Sequence, residues 1–333
     1  MMGQKKSFKI AVCALGRIGW RHAVHVQATP GLSLAAVCDL NKELLVKAAG
    51  EFKVPTYTSF AKMLSAAGAD MVVIATSSHL HFSMTKDALK CGYHVLVEKP
   101  MAKNAGEVRE MIRLARKAGK YLTVNQSMRY RPDVRYIRET IKKGVIGDVF
   151  QLYMGINNNF SERTDWQIWK KFNGGMVANW GVHLVDSILQ MTDQKPRHVF
   201  AKLNRIIDRG DAEDAFKIVI KFNRGLVAEV EAQKARYGKL LWQACGTKGT
   251  IAVENTGGMV IEIKTRTITG KETVEKVDWR VHTEDLPAHY RDLAKRVFNG
   301  QPPPVTPESV LTQFKIIDAA KKSNRIGCSV EVR

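Results

Sequence analysis

The run Ala14-Leu15-Gly16-Arg17-Ile18-Gly19 constrains this chain more than any other segment. Before it, Phe8–Ala14 is short, apolar and β-rich; after it, Arg17–Ala28 has helical periodicity. A strand that passes through closely spaced glycines into a helix is built to hold a phosphate. Gly16 lets the backbone approach a pyrophosphate, and Gly19 lets the helix pack closely on the strand. The helix N-terminus presents unpaired N–H groups and a positive dipole end, and Arg17 adds a cation, with Ile18 in the same turn. The first glycine of this fingerprint is replaced by Ala14. Asp39 follows Gly19 by 20 residues, at the end of the next apolar run Leu34–Cys38, where a carboxylate accepts bonds from ribose hydroxyls. A carboxylate there repels a 2′-phosphate, so NAD is the expected cofactor. Lys42 close by keeps NADP as the alternative.

The alternation continues. Asn41–Phe52 reads as a helix with Asn41 as its cap, Met71–Thr76 and His94–Val97 as buried strands, and Met111–Ala118 as a helix leading into the strand Tyr121–Val124. Strands separated by helices imply right-handed βαβ units, and their nearly continuous apolar character implies a parallel sheet covered on both faces. After Arg131-Pro132 the pattern changes. Val149–Ile156 alternates, Gly174-Gly175 opens a helix to about Met191, and strand-like segments with short turns follow: Phe216–Phe222, Leu226–Ala232, Leu240–Cys245, Thr250–Val253 and Val260–Ile263. Helices over Leu286–Asn299 and Pro307–Ser323 close the chain. A chain of 333 residues exceeds one ordinary core. The expected fold is therefore α/β: an N-terminal Rossmann-type doubly wound parallel sheet over 1–124, the dinucleotide-binding domain, and a C-terminal α+β domain over 125–333 with an open, mostly antiparallel sheet. The second domain is expected to bind substrate and to self-associate through its sheet, giving a homodimer or homotetramer, with Val227, Val230 and Leu240 contributing.

Composition narrows the function classes. No stretch of 18 apolar residues exists, so no membrane association is expected. The apolar run Ile10–Leu15 after Lys5 and Lys6 is too short for a secretory segment, which points to the cytoplasm. Five scattered cysteines (Cys13, Cys38, Cys91, Cys245, Cys328) lack metal-ligand or redox spacing and read as free thiols in a reducing compartment, with no metal expected. The net charge of +20 is spread along the chain without a nucleic-acid recognition module. It reads as a solvated shell, with steering of an acidic substrate as the minority reading, and nucleic acid is not an expected partner.

Two further segments carry chemistry. Glu98-Lys99-Pro100 follows the strand His94–Val97, where strand carboxyl ends meet the ligand crevice, so Lys99 is placed toward the reactive end of the cofactor. In the helix after Gly175, Asn179, His183, Asp186 and Gln190 fall on one narrow stripe of an otherwise apolar surface. Such a stripe faces either solvent or a wet cleft. His183 suits proton transfer near neutral pH, Asn179 suits binding a hydroxyl or carbonyl, and Asp186 suits orienting the imidazole or holding the helix.

In order and spacing these segments resemble the Gfo/Idh/MocA oxidoreductases, which act on sugars, cyclitols and related diols. The resemblance spans nearly the whole chain. It runs through Cys13 to Gly19, Ala75-Thr76-Ser77-Ser78-His79-Leu80-His81, His94 to Pro100, Arg129-Tyr130-Arg131-Pro132, Gly144-Val145-Ile146-Gly147, and Gly174-Gly175 to Asp186. It implies cofactor contacts at Thr76, Ser78, His81, Glu98, Lys99, Asn125 and Arg129, and a catalytic set of Lys99, His183 and the residue four before it. That residue is an aspartate in the family and Asn179 here, which positions substrate but cannot take a proton.

The expected activity is an NAD(P)-dependent dehydrogenase or reductase on a CH–OH group of a carbohydrate-like small molecule, with Trp166 or Trp169 stacking on a sugar face. Two alternatives stand beside it. A redox-neutral NAD-dependent lyase, epimerase or glycosidase fits Asn179 slightly better. A non-catalytic dinucleotide sensor fits the lost aspartate, but not the retention of Lys99 and His183.

Overall fold

A computed structural model describes residues 7–157, 162–207, 209–233, 240–255, 260–278 and 285–333. The chain divides into two compact units, one of residues 1–127 and 286–311, the other of 128–285 and 312–333.

The first unit is built on strands β1 (Phe8–Cys13), β2 (Leu32–Cys38), β3 (Thr56–Tyr57), β4 (Met71–Ile74), β5 (His94–Val97) and β6 (Leu122–Val124). They form a six-stranded sheet in the order β3-β2-β1-β4-β5-β6, parallel throughout. This is the doubly wound order, with its topological switch between β1 and β4. Every residue of β4 is fully buried, as expected for a central strand covered on both faces. Helix α1 (Arg17–Ala28) matches its sequence-based bounds, and Asn41 caps α2 (Lys42–Phe52) by accepting from the N–H groups of Glu43 and Leu44. Helices α3 (Phe60–Ala66), α4 (His81–Lys90) and α5 (Ala105–Ala118) complete the crossovers. Helix α8 (Asp285–Phe298) also contributes here: Leu286, Tyr290 and Leu293 join the core of Ile10, Val12 and Leu96. The periodicity had placed that helix with the later strands, because nothing local in a helix records which core it packs on.

The second unit holds β7 (Val149–Asn157), β8 (Pro196–Asn204), β9 (Ala215–Phe222), β10 (Val227–Gln233), β11 (Leu240–Gly246), β12 (Gly249–Asn255), β13 (Val260–Thr267), β14 (Glu272–Asp278) and β15 (Val330–Glu331). Their order is β14-β13-β12-β11-β7-β10-β9-β8-β15, antiparallel except for the parallel pair β7 and β10. One face carries Leu152, Ile218, Ile220, Val230 and Val253 into a core shared with helix α7 (Val182–Gln190) and with Ile316 and Ala320 of α9 (Glu308–Ile326). Helix α6 (Pro132–Lys142) adds Val134 and Ile137 to it. Val230 therefore cannot serve an open sheet face, contrary to the sequence-based expectation. Strand residues alternate, and Val227 and Val230 lie on opposite faces. The face opposite the core carries charge: Lys217 pairs with Glu229 at 2.9 Å, and Glu231 accepts from the Tyr153 hydroxyl at 2.7 Å. Among the described residues no helix is long and apolar enough to cross a membrane.

The turn after β1 shows why its glycines are where they are. A Cβ at Gly19 would lie 1.6 Å from the carbonyl oxygen of Ala14, so only glycine allows this close approach of helix to strand. Ala14 itself sits in the left-handed region at φ 72°. A side chain there costs roughly 1–2 kcal/mol. Ala14→Gly should therefore stabilise the protein by about 1 kcal/mol after the glycine's unfolded-state entropy is counted. Urea unfolding checks this as a higher midpoint at unchanged slope.

Candidate active site

In the first unit the turn from Ala14 to Gly19 forms a cradle. A Cβ on Gly16 would meet nothing within 4 Å, Gly16 and Arg17 are exposed, and no side chain caps the start of α1. The first-turn N–H groups of that helix are thus open to an anion. Asp39 also shapes the loop: one carboxylate oxygen accepts from Leu15 N–H at 2.5 Å and the other from Asn41 N–H at 2.8 Å. Each oxygen keeps a lone pair for a hydroxyl donor. These residues fit the adenine-ribose and pyrophosphate portion of a dinucleotide.

Thr76 and Ser78 follow β4, with Ser78 buried. His81 opens α4 and is almost wholly buried, with Nδ1 2.8 Å from the Pro100 carbonyl oxygen and Nε2 3.0 Å from that of Thr76. Burial pushes its pKa below the ordinary value, so the neutral ring donates to one of these carbonyls at a time. His81 therefore ties the loop after β4 to the cis Lys99–Pro100 peptide.

Glu98 is buried at the end of β5. Its Oε1 accepts from His22 Nε2 at 2.9 Å and from Asn125 Nδ2 at 2.5 Å, and its Oε2 accepts from the Lys99 N–H at 3.0 Å. Burial alone would raise the carboxyl's pKa. The hydrogen bond and charge of His22, the hydrogen bond from Asn125 and the Lys99 charge outweigh that and hold it at about 2. Nothing in the local sequence paired Glu98 with His22, which lies 76 residues earlier on α1.

In the second unit Asn179 does not sit on an α-helix. Residues Val177–Gly181 form one π-helical turn, and α7 begins at Val182. Such wide turns recur at functional sites and shift the angular register assumed for a regular helix. Asn179 is half-buried and His183, in the next turn, is mostly buried, its ring centroid 5.9 Å from that of Trp180. Gln313 Nε2 donates to the Val182 carbonyl at 2.7 Å where the two helix types meet. Gly175, at φ 105°, allows Glu213 to approach: a Cβ there would lie 2.3 Å from that carboxylate. Glu213 accepts from the Val177 N–H at 3.1 Å, and burial pushes its carboxyl pKa up. Neither Gln313 nor Glu213 was flagged by a local motif.

Arg129 grips Asp186 with two bonds, Nε to Oδ2 at 2.8 Å and Nη2 to Oδ1 at 2.6 Å. Asp186 thereby anchors α7, the second of its two expected roles. Trp166 is half-buried on a short turn; Trp169 is 40% exposed, with Lys171 Nζ 6.0 Å from its ring centroid. Among the described residues no cluster of His, Cys, Asp and Glu could hold a metal ion.

Glu98 gives a test of this electrostatic reading. Its folded pKa of about 2 lies below the ordinary 4.5, so its ionisation contributes stability above pH 4.5 that is lost as pH falls toward 2. The contribution is roughly 3 kcal/mol. Glu98→Gln should lower the melting temperature at neutral pH and flatten its decline across that acid window. Parallel curves for the two proteins would contradict the assignment.

Residues 8–126 match the model of the "oxidoreductase family, NAD-binding Rossmann fold", and residues 134–252 match the "GFO/IDH/MocA C-terminal domain". Among curated relatives, the D-apiose dehydrogenase of Paraburkholderia graminis is 24% identical over 98% of this chain and 90% of its own. The myo-inositol 2-dehydrogenase of Thermotoga maritima is 23% identical over 95% and 96%. An oxidoreductase from Agrobacterium radiobacter, solved with NAD+, L-tartaric acid and magnesium, superposes with a TM-score of 0.85 at 19% identity, covering 98% of each chain. The chain belongs to the Gfo/Idh/MocA family of NAD-binding oxidoreductases.

Proposed function

We propose that this protein transfers a hydride between NAD and a secondary alcohol of a sugar, cyclitol or glycoside. The observation that carries the proposal is Lys99 at the carboxyl end of β5, its peptide fixed by an ionised, buried Glu98. Carboxyl strand ends are where a doubly wound sheet meets its ligand. The bound dinucleotide supplies the hydride acceptor or donor. His183 takes the proton of the substrate hydroxyl, and the Lys99 ammonium stabilises the negative charge that develops on that oxygen. Asn179 offers its amide to a neighbouring hydroxyl or carbonyl and orients the carbon that loses hydride. Trp166 or Trp169 stacks on the sugar face. Dehydrogenases of apiose and inositol among the relatives support a polyhydroxylated substrate. The five free thiols suit a reducing cytoplasm. The charged outer face of the nine-stranded sheet is our proposed surface for a homodimer or homotetramer.

Production of NADH across a panel of aldoses, polyols and glycosides tests the reading. Turnover of at least one member is expected, and its absence across the panel with bound NAD would refute it. His183→Ala should lose ~10²–10⁴-fold in rate, and Lys99→Met about as much or more, with little change in NAD affinity for His183→Ala.

Asp39 reports cofactor choice separately. Fluorescence titration should give tighter binding of NADH than of NADPH, and Asp39→Ala should erase the gap by removing the carboxylate that repels a 2′-phosphate.

A further inference from the structure

A buried polar chain runs beneath the strand ends and takes no part in the proton and hydride chemistry assigned above. Tyr290 on α8 and His22 on α1 are both fully buried, with the Tyr290 hydroxyl 2.7 Å from His22 Nδ1. The donors follow from what each group can do. Glu98 is ionised and only accepts, so His22 Nε2 carries a proton toward it. His22 Nδ1 meets the Tyr290 hydroxyl, which keeps its proton because burial pushes its pKa well up. Helices α1 and α8 and the end of β6 thus converge on one carboxylate, whose second oxygen fixes the Lys99 peptide. One atom of the cluster is left over. Asn125 is 6% exposed, its Nδ2 is committed to Glu98, and its Oδ1 is buried without a hydrogen-bond partner among the described residues. A buried acceptor of this kind calls for a donor.

Asp39 at the end of β2 marks the adenine-ribose half of the dinucleotide site. The carboxyl ends of β5 and β6 therefore belong to the other half. We propose that His22 is a positioning residue of the nicotinamide subsite: through Glu98 it holds the Lys99 peptide and the Asn125 amide, and Asn125 Oδ1 accepts a hydrogen bond from the nicotinamide half of the cofactor. The ring carboxamide and the adjoining ribose hydroxyls both supply such a donor. The proposal rests on dinucleotide binding and is independent of the carbohydrate assignment.

Calorimetry with NAD+, ADP-ribose and ADP as probes separates this role from a merely structural one. His22→Leu should weaken NAD+ about tenfold, as loss of one hydrogen bond does, while ADP changes less than about twofold. His22→Gln, which keeps an N–H toward Glu98, should recover most of that loss. Tyr290→Phe, a conservative change that preserves packing, should show the same split to a smaller degree and carries the test if His22→Leu does not fold. Asn125→Leu identifies the donor: weakened ADP-ribose points to the ribose hydroxyls, and unchanged ADP-ribose to the carboxamide. Equal weakening of NAD+ and ADP in Tyr290→Phe, or no weakening of either, would overturn the proposal. A protein that shows the split yet oxidises no carbohydrate would overturn the substrate reading and leave this one standing.

Discussion

The close approach of α1 to the end of β1 governs the first unit. The Ala14 carbonyl lies where any side chain at position 19 would have to be, so Gly19 sets how near the helix comes. That contact fixes the direction in which the helix start points its free N–H groups. It also carries His22, on the same helix, within 2.9 Å of Glu98. The phosphate cradle and the lysine-bearing strand end are thus joined through one rigid helix. The left-handed Ala14 shows that the turn is kept even where its backbone is costly.

Much of this unit was legible from the sequence, because its determinants are local. Central strands buried on both faces read as continuous apolar runs, and β5 was bounded to the residue. Asn41 announced the start of α2 through its side-chain chemistry. The second unit was harder. Strand β8 exposes the apolar Phe200 between buried Val199 and Ala201, and β14 is largely polar, so neither had a clear periodic signal. The parallel pairing of β7 with β10 is a long-range event that no local pattern records. The same holds for α8, whose Leu286, Tyr290 and Leu293 pack into the first unit's core although the helix follows the strands of the second in sequence.

The site divides along the same line. Residue types found by motif, namely Gly16, Gly19, Asp39, Lys99, Asn179 and His183, all lie on strand ends or helix starts. What the motifs missed are the groups that hold them: His22 and Tyr290 around Glu98, and Gln313 and Glu213 around the helix that carries His183. These partners are far apart in sequence and are ordinary residues in their own segments. The π-helical turn over Val177–Gly181 was likewise invisible, since the apolar spacing of the segment reads as one continuous helix. Asn179 stands where the family resemblance implies a carboxylate, and an amide cannot take a proton, which is why the proposed mechanism gives proton transfer to His183.

The central claim is hydride exchange between the cofactor and a carbinol carbon. Its most direct measurement uses a carbohydrate from the productive class, deuterated at the reacting carbon and incubated with NAD+. The account predicts that the deuterium appears in the reduced nicotinamide ring, read by mass spectrometry, while the carbohydrate is recovered as the ketone. Deuterium retained in or returned to the carbohydrate, with no net reduced cofactor, would contradict it.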